Sequence, residues 1–123
     1  MSARARAGVF LLYLLATLVA LLWPQLRIDG PIPRPDLWIH FACFGLLSLL
    51  AWWSGLFGPR DRWRTLGVVL ALGVAYGGCT ELLQLIPALG RTAALDDWAA
   101  DSVGVALGLI PGLVCCLRRP RSR

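Results

Sequence analysis

Residues 37–57 read LWIHFACFGLLSLLAWWSGLF, a run of 21 residues that contains no Asp, Glu, Lys or Arg. At a rise of 1.5 Å per residue, about 20 mostly apolar residues allow a helix to cross the hydrocarbon core of a bilayer. Similar apolar stretches cover residues 7–23, 66–86 and 98–117. None of the four shows the period-two alternation of a barrel strand. The sequence therefore predicts an all-α fold, a polytopic membrane protein built as a bundle of four transmembrane helices.

The composition of the whole chain favours the same fold class. Of the 123 residues, 58% are hydrophobic and 15% are charged, and the mean hydropathy is +0.68. An average soluble domain is about 45–50% apolar and about 25% charged, and a disordered chain needs low hydrophobicity and many charges. No linker or repeat divides residues 1–123, which are predicted to form a single domain. The first stretch is expected to remain a helix, since residues 23–25, Trp-Pro-Gln, do not resemble a signal-peptide cleavage site.

The net charge of +5 includes 12 basic residues, all of them Arg. They stand in short clusters between the apolar stretches, which is typical of a topology signal and not of a nucleic-acid-binding face. Cytoplasmic loops are rich in basic residues, so the side with more Arg is predicted to be cytoplasmic. Nine lie at the termini and in the second loop, namely Arg4, Arg6, Arg60, Arg62, Arg64, Arg118, Arg119, Arg121 and Arg123, against Arg27, Arg34 and Arg91 in the other loops. Both termini are therefore predicted to be cytoplasmic.

Strongly polar side chains gather at the predicted outer ends of the helices, whereas the inner halves carry no charge. Ionisable groups in or beside membrane spans are costly, so their default interpretation is functional. His40, Glu81 and Asp97 are the candidate catalytic groups. The full set of candidate binding residues is Asp36, His40, Glu81, Gln84, Arg91, Asp97 and Asp101.

Glycine residues continue the polar faces of the third and fourth helices. Small residues let helices approach closely in lipid, where packing joins them. The carboxylates are therefore expected to point into a tight seam between helices. The two stripes are Gly73, Gly77, Glu81 and Gln84 on the third helix, and Asp97, Asp101, Gly104 and Gly108 on the fourth.

Several of these residues also have a purely structural interpretation. Asp96 and Asp97 stand in a first helical turn, where a carboxylate caps free N–H groups and meets the positive end of the helix dipole. His40, taken alone, is more often a hydrogen-bonded packing residue than a ligand. Glu81 and Asp101 lie deeper in their spans, and for these a functional or paired role is the default.

Taken in order, these residues resemble the signature of the VanZ-like family of small four-helix bacterial membrane proteins. Residues 36–44, DLWIHFACF, look like the D-x3-H-F motif that opens the second helix of that family. The residues that resemble its E-x2-Q…R…D-x3-N-x2-G signature are Glu81, Gln84, Arg91, Asp97, Asp101, Gly104 and Gly108. Asp101 stands where Asn is usual, and Leu37 stands where a Lys often follows the Asp. The resemblance implies a protein of the bacterial inner membrane, and its namesake's association with teicoplanin resistance implies a link to glycopeptide-antibiotic tolerance.

The leading functional hypothesis is that the outer polar residues bind a lipid head group or a lipid-linked envelope component, with Arg91 on a phosphate. The alternative is an intramembrane hydrolase or transferase that acts on a phospholipid. In that case the carboxylates and His40 hold a divalent cation, or His40 is a general base oriented by Asp36. Ion transport is less favoured because no polar relay crosses the inner halves of the helices. A purely structural role, in which the polar residues join the helices, is the remaining alternative.

No cofactor motif is evident in the chain, and a divalent cation is the one cofactor compatible with the polar residues. The predicted partners are the lipid bilayer and a lipid-linked envelope precursor, with no nucleic acid. The sequence leaves open whether the chain is an enzyme and how many copies assemble.

Overall fold

The computed structural model describes residues 1–23, 31, 33–90 and 93–118. Within these residues the helices are α1 (Ala3–Leu21), α2 (Pro35–Ser54), α3 (Trp63–Gln84), α4 (Leu95–Gly108) and α5 (Ile110–Leu117), and Pro87–Leu89 forms a short 3-10 turn. The first three helices and the combined segment Leu95–Leu117 are each long and apolar enough to cross a membrane. The described part of the chain contains no strand. The predicted all-α fold with four membrane-length helical spans is confirmed.

Each span begins a few residues before the apolar stretch that predicted it. α1 starts at Ala3 rather than at residue 7, because the Ser2 side chain caps it by accepting a hydrogen bond from the Ala5 N–H at 3.2 Å. α2 starts at Pro35, whose fixed φ suits the first helical position, and ends before Gly55, which has a φ of +76°. Hydropathy marks only the residues that suit hydrocarbon, whereas the helices continue into their polar first turns.

The fourth span is not the single helix expected over residues 98–117. It divides at Leu109 into α4 and α5. Pro111 has no N–H to donate to the preceding turn, and the Leu109 N–H bonds the Ala106 carbonyl at 3.3 Å in place of the Val105 carbonyl. The Val105 carbonyl instead accepts a hydrogen bond from the Ser48 hydroxyl of α2 at 2.9 Å. Pro111 therefore accounts for the break between α4 and α5. Ser48 supplies the hydrogen bond that the Val105 carbonyl lacks within its own helix.

The closest approach in the bundle is between α2 and α4. A Cβ atom at Gly104 would collide with the Phe41 carbonyl, and one at Gly108 would collide with the Gly45 carbonyl and the Ser48 hydroxyl. Gly45, which the sequence did not single out, would place a Cβ 3.3 Å from the Gly104 carbonyl oxygen. Contact of backbone with backbone is what small residues permit in a membrane. The seam between α2 and α4 therefore depends on glycine from both helices.

Side-chain hydrogen bonds to backbone carbonyls join the remaining helices to this seam. The Tyr13 hydroxyl of α1 donates to the Cys43 carbonyl of α2 at 3.2 Å. The Trp98 indole N–H of α4 donates to the Val74 carbonyl of α3 at 3.0 Å. Polar bonds of this kind contribute about 0.6 kcal/mol each on average within membranes. They orient α1 and α3 around the pair formed by α2 and α4.

Candidate functional site

His40 and Asp101 form a buried pair between α2 and α4. The Nδ1 atom of His40 lies 2.9 Å from the Oδ1 atom of Asp101, and the Asp101 side chain is fully buried. His40 lies in the second turn of α2 and Asp101 in the second turn of α4. The glycine seam below them brings the two backbones close enough for this direct contact. The general-base hypothesis oriented His40 through Asp36, but the carboxylate that pairs with His40 is that of Asp101.

Glu81 and Asp97 complete this group around His40. One ligating atom from each of His40, Glu81 and Asp97 lies within 4.8 Å of the other two. Glu81 comes from the last turn of α3 and Asp97 from the first turn of α4. The polar cluster is hereafter defined as His40, Glu81, Asp97 and Asp101, and it lies among α2, α3 and α4 at the end of the bundle where α2 and α4 begin.

Three oxygen atoms of the polar cluster are buried without a hydrogen-bond partner. They are Oε1 of Glu81, Oδ1 of Asp97 and Oδ2 of Asp101. The second Glu81 oxygen, Oε2, accepts the Ala94 N–H at 2.8 Å, which fastens the start of α4 to the end of α3. An unpaired buried carboxylate oxygen costs free energy, and a cluster of such atoms in one place is typical of a binding or catalytic site.

Gly77 gives Asp101 the space it occupies. A Cβ at position 77 would lie 3.1 Å from Oδ2 of Asp101, and one at Gly73 would lie 2.8 Å from a methyl group of Val105. The glycine face of α3 therefore receives side chains of α4. A larger residue at position 77 would press on the Asp101 carboxylate.

Arg34 is a basic residue at the polar cluster that sequence reasoning missed. Its guanidinium hydrogen-bonds to the Asp96 carboxylate and lies 3.8 Å from Asp36 and 3.9 Å from Asp97. The bond to Asp96 raises the pKa of Arg34 above its ordinary value. Arg34 is the non-glycine residue with positive φ, +51°, in the described part of the chain, a backbone conformation that is uncommon outside glycine. In the sequence Arg34 counted only towards the predicted topology, although its place two residues before Asp36 puts it at this end of the bundle.

Of the other three candidate residues, the two that the structure describes do not join the polar cluster. Gln84 is buried, and its side-chain amide donates to the Leu21 carbonyl at 3.0 Å, which satisfies a free carbonyl at the end of α1. Asp36 has a half-exposed side chain at the Arg34 guanidinium. Arg91 lies outside the described residues.

Two grooves on the bundle surface flank α4 beside the polar cluster. One, of about 730 Å³, runs between α2 and α4, and its wall is apolar except for Arg34 at one end. The other, of about 600 Å³, runs between α3 and α4, with Glu81 and Trp98 in its wall. The lining residues of the first groove are Pro33, Arg34, Leu37, Trp38, Phe41, Ala99, Ala100 and Val103. Since both grooves face outward from apolar spans, their surroundings in a membrane are lipid.

Comparison with known proteins adds one match. The model of the VanZ/LLP1 family matches residues 38–117, a range that holds all four residues of the polar cluster and both glycine stripes. No curated protein and no solved structure matches the chain.

Proposed function

The chain belongs to the VanZ/LLP1 family, and on that basis we propose that it binds the phosphate-bearing head group of a cell-envelope lipid beside the polar cluster. The family match confirms the resemblance expected from the sequence, and the four apolar spans fit a multi-pass membrane protein. The identity of the lipid and its place of binding are the proposal.

The observation that carries the proposal is the groove between α2 and α4. Its wall is formed by apolar side chains such as Leu37, Phe41 and Val103, and it ends at the Arg34 guanidinium. A phospholipid has the same arrangement, with an apolar hydrocarbon chain next to a charged phosphate. An acyl or polyprenyl chain would lie along the groove, and Arg34 would donate charge-assisted hydrogen bonds to the phosphate. Arg34 thus takes the role that the sequence suggested for Arg91.

The carboxylates around Arg34 favour a head group in which the phosphate is accompanied by a positive charge. Arg34 already contacts Asp36, Asp96 and Asp97, so a bare anion would meet repulsion from the carboxylates. A head group that carries an amine, or a phosphate accompanied by a metal ion, avoids that repulsion. The excess of arginine at the opposite end supports an orientation in which the polar cluster faces outward from the bacterial cytoplasmic membrane. A lipid-linked wall precursor is then a natural ligand, and its binding would connect the chain to glycopeptide-antibiotic tolerance.

The experiment compares two arginine variants in lipid binding. Purified protein in detergent is titrated with a fluorescent phosphatidylethanolamine and with a diacylglycerol of the same chains, so that only the head group differs. Arg34→Asn removes the charge while keeping a residue that tolerates positive φ. Arg64→Asn removes an exposed charge from the first turn of α3, at the opposite end of the bundle.

We expect wild-type protein and Arg64→Asn to prefer the phospholipid. Arg34→Asn should lose about tenfold in affinity for it, since a hydrogen bond to a charged group contributes about 1.5–3 kcal/mol. Equal binding of the two lipids by wild-type protein, or equal loss in both variants, would contradict the proposal.

A second candidate function is favoured by the contact between His40 and Asp101. A carboxylate on Nδ1 fixes the tautomer of the imidazole and leaves Nε2 to accept a proton, which is the arrangement of a general base. Hydrolysis or transfer at a phosphoester of the bound lipid would use this pair. Release of a radiolabelled head group from phospholipid by the purified protein is the measurement that distinguishes catalysis from binding alone.

A further inference from the structure

The spacing of three side chains in the polar cluster suits a single metal ion. Two ligand atoms of one ion, each about 2.1 Å from it, lie at most about 4.2 Å apart. The ligating atoms of His40, Glu81 and Asp97 already lie within 4.8 Å of one another. The ligating atoms are therefore within about 0.6 Å of the separation that one shared ion requires.

Asp101 holds His40 in the orientation that a metal ligand needs. Histidine ligands commonly donate their second ring nitrogen to a carboxylate, which fixes the ring and raises the basicity of the ligating nitrogen. Nδ1 of His40 is engaged by Asp101 at 2.9 Å. Nε2 is therefore the nitrogen left free to bind an ion.

A second, independent observation is the set of unpaired oxygen atoms. Oε1 of Glu81 is buried and has no hydrogen-bond partner, in a side chain that is only 6% exposed. Oδ2 of Asp101 is likewise unpaired and fully buried. Buried polar atoms normally have partners, and an ion is one of the standard reasons for an exception. A cation among the carboxyl groups of Glu81, Asp97 and Asp101 would also offset their mutual repulsion.

We propose that His40, Glu81 and Asp97 bind one divalent cation of the first transition row, Zn²⁺ or Mn²⁺, with Asp101 as a positioning residue. An imidazole ligand favours these ions over Mg²⁺ and Ca²⁺, which prefer oxygen throughout. Three protein ligands leave at least one coordination position open, as in metal sites that bind a further molecule. The ion would also join α2, α3 and α4 at one point. This proposal stands without lipid binding, because every ligand belongs to the chain.

The test measures metal binding by full-length protein in detergent, without a histidine tag and after treatment with EDTA. Equilibrium dialysis against Zn²⁺, Mn²⁺ or Mg²⁺ is followed by elemental analysis, and the thermal midpoint is recorded with and without each ion. Mn²⁺ is the deciding ion, because the four cysteines of the chain could bind Zn²⁺ elsewhere.

Two carboxylate variants provide the matched comparison. Glu81→Gln removes a ligand charge, but its amide oxygen can still accept the Ala94 N–H, so the link between α3 and α4 is kept. Asp96→Asn removes one charge from the neighbouring exposed carboxylate, which lies outside the group of three.

We expect one ion per wild-type chain, tighter binding of Mn²⁺ than of Mg²⁺, and a higher thermal midpoint with the ion present. Glu81→Gln should bind Mn²⁺ at least tenfold more weakly and lose the thermal shift, whereas Asp96→Asn should retain both. Asp101→Leu should weaken binding by about 10–100-fold, the usual effect of removing the partner of a histidine ligand, whereas Asp101→Asn, whose amide oxygen can still accept the Nδ1–H of His40, should weaken it less. The absence of a bound ion in folded wild-type protein, or equal losses in Glu81→Gln and Asp96→Asn, would overturn the proposal. Head-group binding by Arg34 would be untouched by that result.

Discussion

The substitution Gly104→Ala tests whether the seam between α2 and α4 positions the polar cluster. The added Cβ would collide with the Phe41 carbonyl and lie 3.1 Å from the Gly45 nitrogen. Both obstacles are backbone atoms in the middle of α2, so no side-chain rotation can relieve the contact. The two helices would have to separate.

The magnitude follows from two opposing contributions. Overpacking of a tight site costs about 1–3 kcal/mol, and a collision with backbone belongs at the upper end of that range. Replacement of glycine by alanine within a helix stabilises the helix by about 0.8–1.0 kcal/mol. The net loss is about 2 kcal/mol, which corresponds to a fall in Tm of roughly 8 °C at about 4 °C per kcal/mol.

The assay is thermal unfolding of purified protein in detergent, with Gly67→Ala as the matched control. Gly67 lies in α3, and a Cβ there meets no atom within 4 Å. The same chemical change should therefore leave Tm unchanged or raise it slightly. Separation of α2 from α4 should also lengthen the contact between His40 and Asp101, so Gly104→Ala should weaken Mn²⁺ binding while Gly67→Ala does not.

A Gly104→Ala protein as stable as wild type would refute this reasoning, because it would mean that the seam is looser than its geometry shows. Equal losses in both alanine variants would also refute it. The effect would then belong to glycine in a helix and not to the contact with Phe41.

Two further substitutions test individual hydrogen bonds. If the polar cluster catalyses hydrolysis, Asp101→Leu should slow release of the labelled head group about a hundredfold, the usual scale of general acid–base catalysis. Asp101→Asn, whose amide oxygen can still accept the Nδ1–H of His40, should release the head group at a rate between those of wild-type protein and Asp101→Leu. Wild-type protein that releases no head group would exclude catalysis. Gln84→Leu should lower the free energy of unfolding by about 1–3 kcal/mol, since it leaves the buried Leu21 carbonyl unpaired. Ser102→Ala, which removes an exposed hydrogen bond from the hydroxyl to the Trp98 carbonyl of the same helix, is the control and should change stability by less than about 0.5 kcal/mol. A Gln84→Leu protein no less stable than Ser102→Ala would show that the Leu21 carbonyl finds another partner.

The helical class, the number of spans and the family could be predicted from the sequence because each depends on features that are local or ordered along the chain. Apolar length determines a span, and a motif is defined by spacing. The grouping of His40, Glu81, Asp97 and Asp101 was also accessible, since all four residues lie near the same predicted membrane surface. Antiparallel succession of the spans places the end of α3 beside the starts of α2 and α4.

Details that depend on three-dimensional contact could not be read in the same way. The sequence assigned Gln84 to the binding residues, but the structure shows its amide on the end of α1, a contact between residues 63 positions apart. Arg34 was missed because a charge in a short loop has the same appearance whether it faces water or three carboxylates. Gly45 was missed because α2 contains no second glycine to form a stripe with it, and its importance comes from the contact with Gly104 on α4.

The break at Leu109 has a consequence for how positions 48 and 111 vary in evolution. Ser48 and Pro111 are distant in the chain, yet the hydroxyl of one occupies the Val105 carbonyl that the interrupted helix leaves open. A lineage that replaced Pro111 with a helix-forming residue would remove the ring that crowds the preceding turn, so that the Leu109 N–H could bond the Val105 carbonyl and replace the Ser48 hydroxyl there. A lineage that lost Ser48 first would carry an unsatisfied carbonyl within the membrane. The two positions should therefore change together among descendants of this chain, although nothing in their local sequence connects them.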